Sequence, residues 1–237
     1  MSNFLTCKNC NTINPLFAYT CKKCNAFLRT KIPNIDFWAI VSLLLESPVK
    51  AAETIIQSEH KNYIISLSIF AGIKLTLNFW ILNNALSLSE EINNNFLVST
   101  SLGLVGFFTG LIIISFLGLI TSKFRKIETR FTDFLSVYIY SFVPIIFLFI
   151  FLTPIQLALF GTYWFSFNPS PFFIKELPSY VIVIIEGIFY LWSIFILICT
   201  NYAQLRKIFI SIFLSVVELI ILSFTIFLGL YLSKLWS

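Results

Sequence analysis

Four cysteines near the start of the chain stand at metal-ligand spacing. Cys7-Lys8-Asn9-Cys10 is followed by ten residues and then by Cys21-Lys22-Lys23-Cys24. Two C-x-x-C knuckles at this separation predict one tetrahedral zinc site, with two thiolates from each knuckle. Iron bound as in a rubredoxin would use the same spacing. Two disulfides would use the same thiols, but a reducing cytoplasm disfavours them. A set of four cysteines closes the coordination sphere. That is the structural pattern, because catalytic zinc keeps a position for water. Asn11 and Asn25 each follow a second cysteine, where the backbone of a knuckle turns left-handed and Asn is the residue most tolerant of that turn after Gly.

The second chemistry-bearing set is Lys74, Glu186 and Glu218, the only charges deep inside long apolar runs. At a rise of about 1.5 Å per residue, Lys74 lies roughly 16 Å, Glu218 roughly 15 Å and Glu186, in a run of opposite direction, roughly 21 Å from the inner end of its run. An unpaired charge at such depth costs at least ~2.5–3.5 kcal/mol, so pairing or protonation is expected. The similar depths predict that the first and fifth runs are neighbours and that Lys74 meets Glu218, with Glu186 close by or protonated. Asn78, one turn from Lys74, would widen the site. Such a cluster either fixes helix register or forms a polar pocket for a proton, an ion or a lipid headgroup. The sequence shows no phosphate-cradling Gly-rich loop, no His-Glu-x-x-His and no nucleophile elbow. Its one histidine, His60, reads as a surface residue beside the membrane. The chain is therefore expected not to be an enzyme.

The elements that must position these residues are apolar. Hydrophobic residues make up 58% of the chain and charged residues 11%, and Phe occurs 28 times. Soluble domains run at about 25% charged, so the composition is that of a bilayer protein. Five runs are long enough to cross a core of about 30 Å: Tyr63–Leu86, Phe96–Thr121, Phe134–Gly161, Ser179–Thr200 and Ile208–Ser233. No cleavable leader is visible in the opening MSNFLTCKNC. The fold expected is an all-α membrane protein with five transmembrane helices behind amphipathic surface helices and a small N-terminal zinc ribbon.

Three segments follow from this reading: a ribbon over 1–30, a linker with surface helices over 31–62, and a membrane domain over 63–237. A unit of about 30 residues cannot fold on its own core, so a metal must supply the folding energy. In the second segment Asn34 or Asp36 can cap a helix whose apolar residues are Phe37, Ile40, Val41, Leu44 and Leu45, opposite Ser42 and Glu46. Ser47-Pro48 reads as the N-cap and first residue of the next helix, where Ala52, Ile55 and Ile56 face away from Lys50, Glu53 and Gln57. Both stripes are too short to span. They would lie on the inner membrane surface with Trp38 at headgroup depth, or pack on the protein's own bundle.

The loops set the direction. Ser122–Asp133 carries Lys123, Arg125, Lys126 and Arg130 against Glu128 and Asp133, and basic loops resist translocation. The loop before it has Glu90 and Glu91. The loop after it has only Lys175 with Glu176. Asn201–Lys207 ends in Arg206-Lys207, and the tail holds Lys234. Of the 16 basic residues, 13 fall in segments on one side, so the net charge of +5 reflects topology and lipid attraction and not nucleic-acid binding. The expectation is a multi-pass protein of the bacterial inner (cytoplasmic) membrane, N-terminus cytoplasmic and C-terminus outside. In the apolar runs, Gly103, Gly106 and Gly110 offer close helix packing, Pro144 and Pro154 kink the third run, and Cys199 is a buried free thiol.

Three stretches carry a family resemblance. Leu43–Ile56 reads LLLESPVKAAETII, Thr132–Ile145 reads TDFLSVYIYSFVPI with Tyr140, Ser141 and Pro144 as its core, and Leu191–Ile208 joins a span to the last one through a short polar-basic turn. Over about residues 36–233 the chain resembles the Yip-domain family, five-span membrane proteins named for interaction with Rab-type (Ypt) GTPases. The resemblance implies a prokaryotic-type member with a ribbon fused ahead of it. The Asp-Leu-Tyr-Gly-Pro motif of eukaryotic members has no match here, so no GTPase-binding residue is carried over.

The expected role is that of a membrane organiser or adaptor. Its partners would be membrane lipid and a cytoplasmic protein, with homo-oligomers open. The alternative is a small transporter, channel or lipid-handling protein using a polar midplane site.

Overall fold

The computed structural model describes residues 4–86 and 96–233. Glu90 and Glu91 of the first loop and Lys234 of the tail lie outside the described residues. The ribbon is built first. Strands β1 (Phe4–Thr6) and β2 (Ile13–Pro15) pair antiparallel in the register Phe4↔Pro15, Leu5↔Asn14, Thr6↔Ile13. The first knuckle forms their turn, and the second is flanked by a bridge between Thr20 and Phe27. Next, β3 (Ile32–Asn34) pairs parallel with β4 (Ser58–His60) around helices α1 (Phe37–Glu46) and α2 (Pro48–Gln57). Asp36 caps α1, accepting a bond from the Ala39 amide at 3.2 Å. Ser47 stands before Pro48 at the start of α2.

The apolar runs become α3 (Ile64–Ala85), α4 (Phe96–Phe124), α5 (Phe131–Ser141), α6 (Val143–Phe147), a π-helical turn (Leu148–Leu152), α7 (Thr153–Phe160), the short α8 (Tyr163–Ser166) and α9 (Pro171–Ile174), then α10 (Glu176–Leu205) and α11 (Ile208–Leu232). Among the described residues five helices, Ile64–Ala85, Phe96–Phe124, Val143–Phe160, Glu176–Leu205 and Ile208–Leu232, are long and apolar enough to cross a membrane. The architecture is that of an all-α membrane protein. The third run is broken where its prolines stand. Pro144 has no N–H to continue the ladder of α5, and Ser141 Oγ donates to the Tyr138 carbonyl at 2.6 Å just ahead of the break. The π-helical turn ends directly before Thr153-Pro154, so the ladder widens where the second proline removes a donor. The expected kinks are therefore interruptions of the hydrogen-bond ladder.

The chain forms two compact units. One comprises Met1–Ile64, Ile113–Ser141 and Ile194–Glu218, the other Ile65–Ile112, Phe142–Ser193 and Leu219–Ser237. In the first unit the ribbon is not a body of its own. It shares the unit with α1, α2, α5 and the adjoining helix ends. Helix α2 buries Ala51, Ala52, Ile55 and Ile56 and packs on α5, so its stripe is covered by protein. Helix α1 buries Ile40, Val41 and Leu44 but leaves Trp38 and Leu45 exposed. In the second unit α4 and α11 touch backbone to backbone. A Cβ on Gly106 would fall 2.2 Å from the Thr225 carbonyl oxygen, and one on Gly229 would fall 2.3 Å from that of Leu102. Gly106 does the close packing expected of it, and Gly229 adds a contact that the sequence reading did not single out. Leu148, Leu152, Phe160, Trp164 and Ile182 form an apolar core of the same unit.

Candidate metal centre and membrane polar clusters

The four thiols of Cys7, Cys10, Cys21 and Cys24 converge, all within 4.8 Å of one another. Cys7 and Cys24 sulfurs are 3.6 Å apart, Cys10 and Cys21 sulfurs 3.5 Å. Four sulfurs held about 2.3 Å from one tetrahedral ion lie about 3.8 Å apart, so the quartet could hold a metal ion with little movement. No disulfide joins them; all are free thiols. Each knuckle repeats one backbone pattern. The Asn11 amide donates to the Cys7 carbonyl at 2.9 Å and the Asn25 amide to that of Cys21 at 3.0 Å. Both asparagines are left-handed, with φ of 53° and 55°. Backbone amides of Cys24 and Lys23 point at Cys21 and pull its thiol down to about 6, towards the thiolate that binds metal.

Asn14 is a positioning residue the sequence did not reveal. It is buried on β2. Its amide nitrogen donates to the Thr12 carbonyl at 2.8 Å and approaches the Cys21 sulfur at 3.7 Å, while its oxygen accepts the Lys22 amide at 2.9 Å. One side chain thus joins the strand that follows the first knuckle to the second.

The ribbon is fastened within its unit by arginines. Arg29 donates to the carbonyls of Phe17 and Gln57, both at 2.8 Å. Arg130 lies over the Phe17 ring at 4.4 Å, donates to the Ile56 carbonyl at 3.1 Å and holds both oxygens of Asp133 at 2.9 and 3.0 Å. Buried Asp133 also takes Lys61 at 3.0 Å. Burial pushes the Lys61 ammonium down to about 8, against the pull of Asp133. Lys22 reaches Glu128 at 3.1 Å, and Arg206 pairs with Glu53.

The membrane charges do not form the expected pair. In the second unit Lys74, fully buried on α3, meets Glu186 of α10 at 2.6 Å. Gln156 of α7 donates to the same Glu186 oxygen at 3.0 Å, and its own oxygen lies 3.4 Å from the Lys74 nitrogen. Asn78 lies 3.4 Å from Glu186 and donates to the Tyr190 hydroxyl at 2.9 Å. In the first unit Glu218 of α11 has other partners. One oxygen contacts the Tyr138 hydroxyl at 2.5 Å, and the other accepts from the Asn201 amide nitrogen at 2.7 Å. Asn201 also reaches Ser215 Oγ at 2.9 Å and, through its oxygen, the Tyr138 hydroxyl at 3.2 Å. A Cβ on Gly118 would fall 2.7 Å from that hydroxyl, so glycine leaves the room for it. The partner of Lys74 within its unit is thus Glu186, and the partners of Glu218 within its own are Tyr138 and Asn201.

The remaining expected residues fall as follows. Tyr140 is buried and donates to the Asn62 carbonyl at 3.0 Å, Ser141 bonds back along α5, and Pro144 opens α6. His60 is exposed on β4, and Cys199 is only half-buried. No protein-family model matches the chain, and no curated protein and no solved structure matches it.

Proposed function

We propose that the protein is a non-enzymatic membrane organiser or adaptor whose zinc-loaded ribbon and basic loop together bind a cytoplasmic protein. The observation that supports this reading is a groove of about 140 Å³ lined by Phe4, Ile13, Pro15 and Lys22 of the ribbon and by Lys126 and Ile127 of the loop. Phe4 and Ile13 are exposed there, beside two lysines. Lys22–Glu128 and Arg130–Phe17 join the ribbon to the loop beside the groove. Zinc is the ion that a closed four-thiolate set favours. The role of the metal is to fold the ribbon, and it leaves no coordination position for substrate. Membership of the Yip-domain family is part of the same reading, carried by Tyr140, Ser141 and Pro144.

The groove works for a cytoplasmic partner only if the N-terminus is inside. Reporter fusions after residues 92, 127, 170, 204 and 237 are expected to read out, in, out, in, out. Proximity labelling from the N-terminus of the full chain is expected to enrich a cytoplasmic protein over a membrane control, and Ile13→Asp is expected to abolish that enrichment. Enrichment that Ile13→Asp leaves intact, or none at all, contradicts the adaptor. A second reading, a small transporter, channel or lipid-handling protein, is favoured by the polar side chains around Lys74 and Glu186 among apolar helices. Solute flux or lipid movement in reconstituted vesicles is its test.

A further inference from the structure

We infer that Glu218 is a proton-binding site within the membrane, its carboxyl held as the neutral acid. The inference is independent of the adaptor reading and rests on a count of hydrogens. Four polar contacts join Glu218, Tyr138, Asn201 and Ser215: Tyr138 to Glu218, Tyr138 to Asn201, Asn201 to Glu218 and Asn201 to Ser215. Each needs one hydrogen. The Asn201 amide supplies two, to Glu218 and to Ser215. The Tyr138 hydroxyl supplies one, which as a two-centre bond goes either to the Glu218 oxygen or to the Asn201 oxygen. With four two-centre bonds the fourth hydrogen comes from Glu218 itself, which donates to Tyr138 while Tyr138 donates to Asn201.

Turning the Asn201 amide over gives the same answer. Its oxygen would then face Glu218 and Ser215. Ser215 would fill one of those contacts, Tyr138 would donate to Glu218, Asn201 would donate to Tyr138, and the contact between the Asn201 and Glu218 oxygens would again need a proton on the carboxyl.

The surroundings agree. Tyr138 and Asn201 are fully buried and Glu218 is 1% exposed. Among the described residues no lysine, arginine or histidine forms a salt bridge with Glu218. Among the described residues its hydrogen-bond partners are Tyr138 from α5 and Asn201 from α10, and Ser215 of its own helix bonds Asn201. Tyr138 is the titratable one among them. A carboxylate removed from water with no cation beside it takes up a proton. The ligand of the site is thus a proton, bound between one oxygen of Glu218 and its polar neighbours.

The test is infrared difference spectroscopy of the full chain in lipid nanodiscs. A carboxylic-acid C=O band is expected at neutral pH in the wild type and is expected to vanish in Glu218→Gln. It should persist in the double variant Lys74→Met with Glu186→Leu, which removes the other membrane acid together with its cation. Should Glu218→Gln not be recovered folded, Tyr138→Phe serves instead: loss of its hydrogen bond is expected to shift the same band. No acid band at neutral pH, or a band that both substitutions leave unmoved, overturns the inference.

Discussion

Glu186 and Glu218 are both acids on apolar helices, and the chain surrounds them in opposite ways. Glu186, in the unit that holds residues 142–193, has a cation at 2.6 Å and two amide side chains on the same oxygen. Glu218, at the end of the other unit, has a tyrosine and an asparagine and no cation among the described residues. A membrane helix can carry an acid if its charge is cancelled by a partner or by a proton. One acid here uses the first solution and, on the hydrogen count, the other uses the second. The lesson is that depth in the bilayer does not decide which solution is used. The side chains that the neighbouring helices turn towards the acid do.

Substitutions that break one solution and spare the other sharpen this contrast. The largest effect is expected from Glu186→Gln, which leaves the buried Lys74 ammonium facing only amides. Breaking a buried ion pair from one side costs ~3–5 kcal/mol, to be seen as a loss of thermal midpoint in a fixed lipid. Replacing both partners, Lys74→Met with Glu186→Leu, is expected to recover most of that loss, because two apolar side chains of similar volume carry no desolvation cost. If the double variant is worse than Glu186→Gln, the pair does more than neutralise charge. Asn201→Leu comes next. It strips Glu218 and Ser215 of a donor and Tyr138 of an acceptor, at about 1–3 kcal/mol for the group left unsatisfied. The smallest effect is expected from Glu218→Gln. A neutral amide supplies one acceptor and a donor in nearly the same shape, so stability should change by less than about 1 kcal/mol.

The ribbon contrasts with both clusters in how well it could be read. Cys7, Cys10, Cys21 and Cys24 lie within 18 residues of one another, and C-x-x-C spacing fixes the geometry locally. The left-handed Asn11 and Asn25 followed from the same local rule. Asn14 was hidden, because a lone Asn in a short strand gives no sign that it will bind the next knuckle. The five long apolar helices were legible from composition, to within a few residues at most ends. The partners of the membrane charges were not. Depth along a helix follows from counting residues, and it placed Lys74 level with Glu218. Facing depends on rotation by about 100° per residue and on how helices pack, which residue counting does not give. Gln156, Tyr190, Tyr138 and Asn201 carried no charge to draw notice in the sequence. The contacts of Arg130 were also hidden. Its basic character suggested a topology signal shared with Lys123, Arg125 and Lys126, and gave no sign of its contacts with Asp133, Phe17 and Ile56.

Cys7→Ser tests the attachment that Arg130 makes. It is expected to unfold the ribbon and leave the apolar helices inserted, since their own burial drives insertion. Protease cleavage at the 125–130 loop should rise in the variant, because Lys22 and Phe17 no longer hold Glu128 and Arg130. Elemental analysis of the wild type should find one metal per chain; finding neither zinc nor iron would remove the metal from the account.

The most direct test of the contrast is a paired one: thermal unfolding of Glu186→Gln and Glu218→Gln, side by side in the same nanodiscs at neutral pH. The account predicts that Glu186→Gln loses several kcal/mol and that Glu218→Gln stays within about 1 kcal/mol of the wild type. Equal and large losses in both, or a harmless Glu186→Gln, would contradict it.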